Sequence, residues 1–338
     1  MTEDPLSDVL RSVRLRGAMF YYVSCRDRWV AETPGAADLA RVLGPDAEHV
    51  MAYHFVVRGE GWAAADGEAP VRLASGDIVA FPRGDAHVLS SAPGMHAPPA
   101  NSDWEVVVRN APGPILLALH DGVCTPGAEV PADEASAVVI CGFLSCDLRP
   151  FNPLIAALPR LLHLPAACVG PWVAPMLEQA VAESRHQRPG GAALLQRASE
   201  MVFVDAARRH LQSLPEGGGQ GWLAGLRDRH VGRALGLLHA HPAEAWTVEE
   251  LGRRVGLSRS ALHQRFIETA GLPPMQYLAN WRMQLGARML REGNATVATI
   301  ATEIGYESEA AFARAFRRLV GESPAAWRRR QRETAQRG

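Results

Sequence analysis

Apolar positions change period several times along this chain. Leu6, Val9, Leu10 and Val13 recur at helical spacing and predict a short amphipathic helix leading into a strand. From about Phe20 to Leu144 the apolar runs shorten and are broken by Gly, Pro and Asp. Candidate strands are HVMAYHFVV, GWAAA, DIVAFP, AHVLS, WEVVVRN, ILLALH and SAVVICGFL, the pattern of a β-sandwich or barrel. Around Asp147–Gly170 the strands are expected to stop. FNPLIAALPRLLHLP, punctuated by Pro153, Pro159 and Pro165, predicts short helical turns. Two helices follow. Val173–Arg185 carries Met176, Leu177, Ala180 and Val181 on one face. Gly191–Leu214 carries Leu194, Leu195, Ala198, Met201, Val202 and Val204. The short RPGG loop between them predicts an antiparallel pair. PEGGGQG, residues 215–221, reads as a flexible tether.

The last third is one design written twice. TVEELGRRVGLSRSALHQRFIETAGLPPMQYL starts at Thr247, and TVATIATEIGYESEAAFARAFRRLVGESPAAWR starts at Thr296. Leu251 matches Ile300, Val255 matches Ile304 and Gly256 matches Gly305. Leu262 then matches Phe312, Phe266 matches Phe316, Gly271 matches Gly321, Pro274 matches Pro324 and Tyr277 matches Trp327. A self-match of this length defines the architecture. Each copy has the grammar of a helix-turn-helix. Thr247 with Glu250 fits a capping box, Gly256 supplies a left-handed turn, and Ser258 caps a second helix with Leu262 and Phe266 inward. Gly305 and Ser308 do the same in the second copy. A helix over Asp228–His241 precedes the first copy. A long helix from Pro274 to about Leu290 bridges the two and sets how far apart they sit.

Charge sharpens this picture. The chain of 338 residues has a formal net charge of −1, but residues 222–338 hold 18 Arg against 11 Asp and Glu, whereas residues 1–221 hold 17 Arg against 25. A basic C-terminal domain beside an acidic N-terminal one favours nucleic acid as partner of the former. There is no signal-like start and no apolar run of about 18 residues, so a soluble, cytoplasmic protein without a membrane partner is expected. Five cysteines without a Cys-x-x-Cys pair are expected as buried thiols. A thiol-based sensor through Cys141 and Cys146 is an alternative to be tested.

The doubled C-terminal segment resembles the DNA-binding domain of the AraC/XylS family of transcriptional regulators, most specifically over IATEIGYESEAAFARAFRRLVGESPAAWR. GDIVAFPRGDAH, with Gly76, Pro82, Gly84 and His87, is similar to the second conserved cupin motif; with VICGF and LLHLP it resembles the cupin-type sensor domain of a subgroup of that family. The resemblance implies an α+β protein with four parts. Residues 1–170 would be a cupin-like effector-sensing β-barrel and 171–214 a helical dimerisation hairpin. Residues 215–221 would be a linker, and 222–331 an all-α domain with two helix-turn-helix motifs. It implies a sequence-specific regulator, expected to be an activator and a homodimer, with double-stranded DNA, a small-molecule effector and RNA polymerase as partners. It implies no catalysis. A metal-dependent cupin enzyme fused to a DNA-binding domain is the alternative.

Carried onto this chain, the first recognition helix presents Arg259, Ser260, His263, Gln264 and Arg265. The second presents Glu309, Ala310, Ala313, Arg314, Arg317 and Arg318. Arg259 and Arg314 have the reach for guanine and Gln264 for adenine. Arg265, Arg317 and Arg318 are expected on phosphate or a neighbouring carboxylate. The first repeat is expected to discriminate more. Candidate effector-binding residues are His54, Trp62, Phe81, His87 and Trp104. The first cupin motif is degraded: only His49 and His54 precede Gly59, and Ala52 stands near the expected Glu. A divalent metal would therefore have His54 and His87 as ligands, with Cys141, His96 or His120 as a third donor.

Overall fold

The computed structural model describes residues 4–43, 48–97, 115–121, 123–186, 189–216 and 219–337. In chain order the elements are α1 (Pro5–Ser12), β1 (Arg16–Arg26), β2 (Val30–Thr33), α2 (Ala36–Leu43), β3 (His49–Arg58), β4 (Glu60–Ala65), β5 (Val71–Ala74), β6 (Ile78–Phe81), β7 (His87–Ser90), β8 (Ile115–His120), β9 (Val123–Pro126), β10 (Ala137–Cys146), α3 (Pro153–Ala157) and β11 (Leu162–Leu164). They continue as α4 (Val173–His186), α5 (Gly191–Ser213), α6 (Trp222–Arg227), α7 (Arg229–Ala240), α8 (Val248–Val255), α9 (Arg259–Ala270), α10 (Pro274–Glu292), α11 (Val297–Glu303), α12 (Glu309–Val320) and α13 (Pro324–Arg337). The candidate strand WEVVVRN lies outside the described residues. No helix among the described residues is long and apolar enough to cross a membrane.

The chain forms two compact units. One consists of Leu15–Cys146 and Leu158–Gln212. Its strands form a seven-stranded sheet of order β11-β6-β3-β10-β1-β8-β9 and a four-stranded sheet of order β2-β7-β4-β5. Among the described residues these are two sheets, not the closed barrel expected. Alternation places Val50, Ala52 and Val56 of β3, Val139 and Phe143 of β10, and Ala63 and Ala65 of β4 in one shared core. The strands do not stop at Asp147 as expected. Leu162–Leu164 pairs antiparallel with β6, and Asp77 secures that pairing by accepting from His163 Nε2 at 2.9 Å and Ala166 N at 2.8 Å.

Helices α4 and α5 belong to this unit, and their buried residues include Leu177, Ala180, Leu195, Ala198 and Val202. Tyr53, on the outward face of β3, shares a hydrogen bond with Ser199 of α5 at 2.9 Å. Gly142 on β10 leaves room for that tyrosine: a Cβ there would lie 2.3 Å from its ring. Leu194 and Met201 were expected on the same apolar face, but they point to solvent, 47% and 50% exposed.

The second unit consists of the segment ending at Arg14, Asp147–Ala157 and Ser213–Gly338. The expected division puts residues 1–14 and 147–157 with the sensing domain, whereas packing groups them with the C-terminal helices. The physical reason lies in α10. Gln284, 2% exposed, donates through Nε2 to the Ser12 carbonyl at 2.9 Å and accepts from Phe151 N at 3.0 Å. Arg291 pairs with Asp147 at 2.7 Å. On α1, Asp4 caps the helix and Leu6 and Val9 are buried. Part of the expected tether, too, is engaged in this unit, where Glu216 approaches Arg227 at 3.6 Å.

Candidate nucleic-acid interface and sensor interior

The two repeats are built by the same local devices. Thr247 Oγ1 accepts from Glu250 N at 3.1 Å and Thr296 Oγ1 from Thr299 N at 3.1 Å. Ser258 and Ser308 cap α9 and α12 by accepting from Ala261 N and Ala311 N, each at 3.2 Å. These bonds satisfy amides that a helix start leaves open. Gly256 at φ 78° and Gly305 at φ 85° turn the chain between paired helices, and Gly271 and Gly321 end α9 and α12 in the left-handed region. The capping box at Thr247 is only half made. The Glu250 carboxylate turns to Arg253 at 2.8 Å and Arg254 at 2.8 Å instead, and these two arginines draw its pKa down to about 2.

The matched aromatics meet in matched ways. Phe266 and Tyr277 lie edge to face with centroids 5.7 Å apart, and Phe316 and Trp327 do so at 5.9 Å. Leu262, Phe266, Phe312 and Phe316 are fully buried. Each recognition helix is thus fixed by its apolar face, which leaves the opposite face to solvent.

All the proposed base- and phosphate-contacting residues lie on those outer faces, except that Ala313 is half-buried. Their wiring differs between repeats. Arg259 pairs with Glu249 at 2.9 Å, and Gln264 Nε2 donates to Glu268 at 2.8 Å. Arg265 reaches the neighbouring carboxylate that was one of its two expected partners. Its Nε and Nη2 both bond Asp228 Oδ2 at 2.7 Å, while Asp228 Oδ1 caps α7 through His230 N and Val231 N at 2.9 Å. Ser260, His263, Arg314, Arg317 and Arg318 make no ion pair among the described residues.

In the two-sheet unit, three of the five effector candidates converge. His54 and His87 are hydrogen-bonded Nε2 to Nε2 at 2.8 Å, and Phe81 stacks on His87 with centroids 3.7 Å apart. The carbonyl of Asp85 accepts from His87 Nδ1 at 3.0 Å, so the neutral His87 carries its proton on Nδ1. His87 Nε2 is then an acceptor and His54 Nε2 the donor. His54 Nδ1 remains a buried acceptor without a partner. Burial holds both imidazoles neutral: His87 is lowered to about 4, and His54 is lowered well below the usual imidazole value by burial and by its neighbour His87. Trp62 makes no ring contact with these three, but it lines a cavity of about 550 Å³ together with His87, Glu32, Met95 and His96. Trp104 lies outside the described residues.

These donors do not fit a metal. His54 and His87 spend their facing nitrogens on each other, and no group of three His, Cys, Asp or Glu suited to a metal occurs among the described residues. Cys141 stands opposite His54 in the β10–β3 register, but burial pushes its thiol up to about 12. His96 pairs with Glu32, and His120 with Asp27 and Arg26. The thiol-sensor alternative loses its pair as well. Cys141 and Cys146 are five apart on β10 and therefore face opposite sides of the sheet.

Comparison with known proteins decides the family. A cupin family profile matches residues 4–212, and a helix-turn-helix domain profile matches residues 251–330. A Streptomyces lividans protein described as an AraC-like transcription regulator is 33% identical over 331 residues, covering 96% of this chain and 98% of that protein. The chain belongs to the AraC-like transcription regulators. AlkR of Acinetobacter baylyi, a helix-turn-helix-type transcriptional regulator, is 26% identical over 96% of this chain and 99% of its own length. Among solved structures, the DNA-binding domain of AdpA in complex with a target DNA is 31% identical over 33% of this chain and 99% of that chain, with a TM-score of 0.31. This AraC-like chain is accordingly a DNA-binding transcription regulator with a cupin-type N-terminal domain. The segments that pack on α10 fall inside the cupin match, so the family boundary and the packing unit differ there.

Proposed function

We propose that α9 and α12 enter successive major grooves of double-stranded DNA and that a small molecule bound in the cupin-type domain controls the response. The reading rests on one observation: two helices with the same cap, glycine stop and aromatic lock expose a polar and arginine-bearing face. Arg259, His263 and Gln264 read bases from α9 and Arg314 from α12, while Arg317 and Arg318 hold phosphates. Arg265 acts through Asp228 to orient α9. The regulator activates by recruiting RNA polymerase in the cytoplasm and has no catalytic role.

The effector is an apolar molecule with a hydrogen-bond donor. The paired imidazoles sit in an apolar interior, and His54 Nδ1 offers an acceptor there. Leu194 and Met201 support a homodimer formed through α5, since a second copy would cover them. Equilibrium DNA binding tests the central reading. Duplexes selected from a random library should bind with an affinity that falls steeply with salt, at about 0.9 log units per log unit for each phosphate neutralised. Binding indifferent to sequence at every salt concentration would sink it.

A further inference from the structure

The repeats share α10, and one further contact joins them. The loop between α7 and α8 leads directly into the first repeat, and the turn after α11 belongs to the second. At that turn a Cβ on Gly305 would lie 2.7 Å from both the Cα and the carbonyl oxygen of Ala243. Arg282 of α10 clamps the same place. Its Nε donates to the Pro242 carbonyl at 2.7 Å and its Nη2 to the Glu244 carbonyl at 2.8 Å. Its guanidinium carbon lies 5.7 Å from the ring centroid of Tyr306, just past Gly305. The loop is itself braced. Trp246 Nε1 donates to the His241 carbonyl at 2.9 Å, and Arg254 bonds the Glu244 carboxylate at 3.3 Å while lying over the Trp246 ring. One side chain therefore holds two carbonyls of the loop that leads into the first repeat and an aromatic ring of the second.

We propose that Arg282, with Gly305, is a positioning residue that sets the spacing between the two DNA segments this protein reads. A single shared helix leaves two lobes able to rock about it. A planar guanidinium bonded to two carbonyls on one side and lying over a ring on the other resists that rocking. Lysine cannot replace it, because an ammonium is a point donor without a fork. The angle matters because each base pair advances the groove by roughly 35° around the axis, so a small rotation of α12 against α9 brings it to different base edges.

The inference rests on the two-groove reading, and its test separates the two. The full chain is used to select duplexes from a random library, and the recovered site is remade with one base pair inserted between its halves. Wild type should return a two-part site and lose roughly tenfold or more in affinity on insertion, on the scale of a mismatched contact. Arg282→Lys and Arg282→Met should narrow that loss to about threefold or less, with affinity for either half alone unchanged. Gly305→Ala, which wedges the same contact, should shift the preferred spacing. Thermal melts verify that each variant is folded, and Arg282→Lys, the mildest change, keeps the test open if Gly305→Ala does not fold. Arg282 variants that keep the wild-type insertion penalty overturn the proposal. A wild-type site with a single part overturns two-groove reading instead.

Discussion

The two helix-turn-helix repeats share a scaffold and differ in how their outer faces are tied. On α9 three of the five candidate side chains are held: Arg259 by Glu249, Gln264 by Glu268 and Arg265 by Asp228. On α12 the arginines at 314, 317 and 318 stand without ion pairs among the described residues. The same backbone thus carries two kinds of surface. Side chains already held in place lose less freedom on binding and suit the reading of base edges. Untethered Arg317 and Arg318 suit phosphate, where position matters less than charge, and untethered Arg314 loses more freedom than the α9 side chains when it reads a base.

The largest expected effect breaks the shared part of this comparison. Phe266→Ala and Phe316→Ala each remove a fully buried ring and should cost about 3–5 kcal/mol in urea unfolding. Hydrogen exchange should place the loss chiefly on the repeat that carries the substitution. Equal loosening of α9 and α12 by either variant would mean that the repeats are one cooperative block.

Asp228→Ala comes next and strikes only the first repeat. It removes the cap of α7 and leaves Arg265 without its carboxylate, for a combined cost of about 2 kcal/mol. Acid should mimic it. Burial would raise the Asp228 pKa, but Arg265 and the amides of Val231 and His230 outweigh it and hold the carboxyl below its ordinary value. A depressed carboxyl stabilises the fold above its unfolded pKa of about 3.9 and loses that contribution as pH falls through the lower folded value. Amides of α9 should therefore lose protection before those of α12 as pH drops below about 4. Simultaneous loss, or loss from α12 first, would show that Asp228 does not set the difference.

How much of this was legible in the residues follows from the range of each interaction. The repeat, its caps and its glycine stops were readable, because Thr247, Ser258, Gly256 and their counterparts act within four residues of themselves. The convergence of His54, Phe81 and His87 was readable from a strand-and-turn motif; the tautomers were not, since they depend on the Asp85 carbonyl. Gln284 joins residues 272 and 133 positions away, and no local period announces that. Leu162–Leu164 is too short a strand to show alternation. The exposure of Leu194 and Met201 was missed because a helix with apolar residues on several faces does not say which face the sheet takes.

Next in size is the ranking of the two readers. His263→Ala and Gln264→Ala together should erode discrimination between the selected site and single-base variants by roughly tenfold, and Arg314→Ala by less, because a good base contact is worth about 1–3 kcal/mol. Arg317→Ala should instead flatten the salt dependence of binding, the mark of a lost phosphate contact. A larger loss of sequence preference from Arg314→Ala than from the other two together would invert the assignment of roles.

The smallest effect concerns the hold on Arg259. Its partner Glu249 is more than half exposed, so the pair contributes little to folding, and Glu249→Gln should leave the urea midpoint nearly unchanged. Binding is a different matter. In free protein Arg259 is paired to a carboxylate, and contacting a guanine requires giving up that bond. Glu249→Gln removes the competitor and a negative charge from the DNA-facing side, so affinity should rise about two- to fivefold at low salt and converge on wild type as salt screens the charge. The same substitution should also relax preference at the base that Arg259 reads, because the carboxylate steers the guanidinium as well as competing for it. A rise in affinity with unchanged preference would mean that Glu249 acts on Arg259 through charge alone. Unchanged affinity at every salt concentration would mean that Arg259 stays with Glu249 on DNA and that the first reader depends on His263 and Gln264.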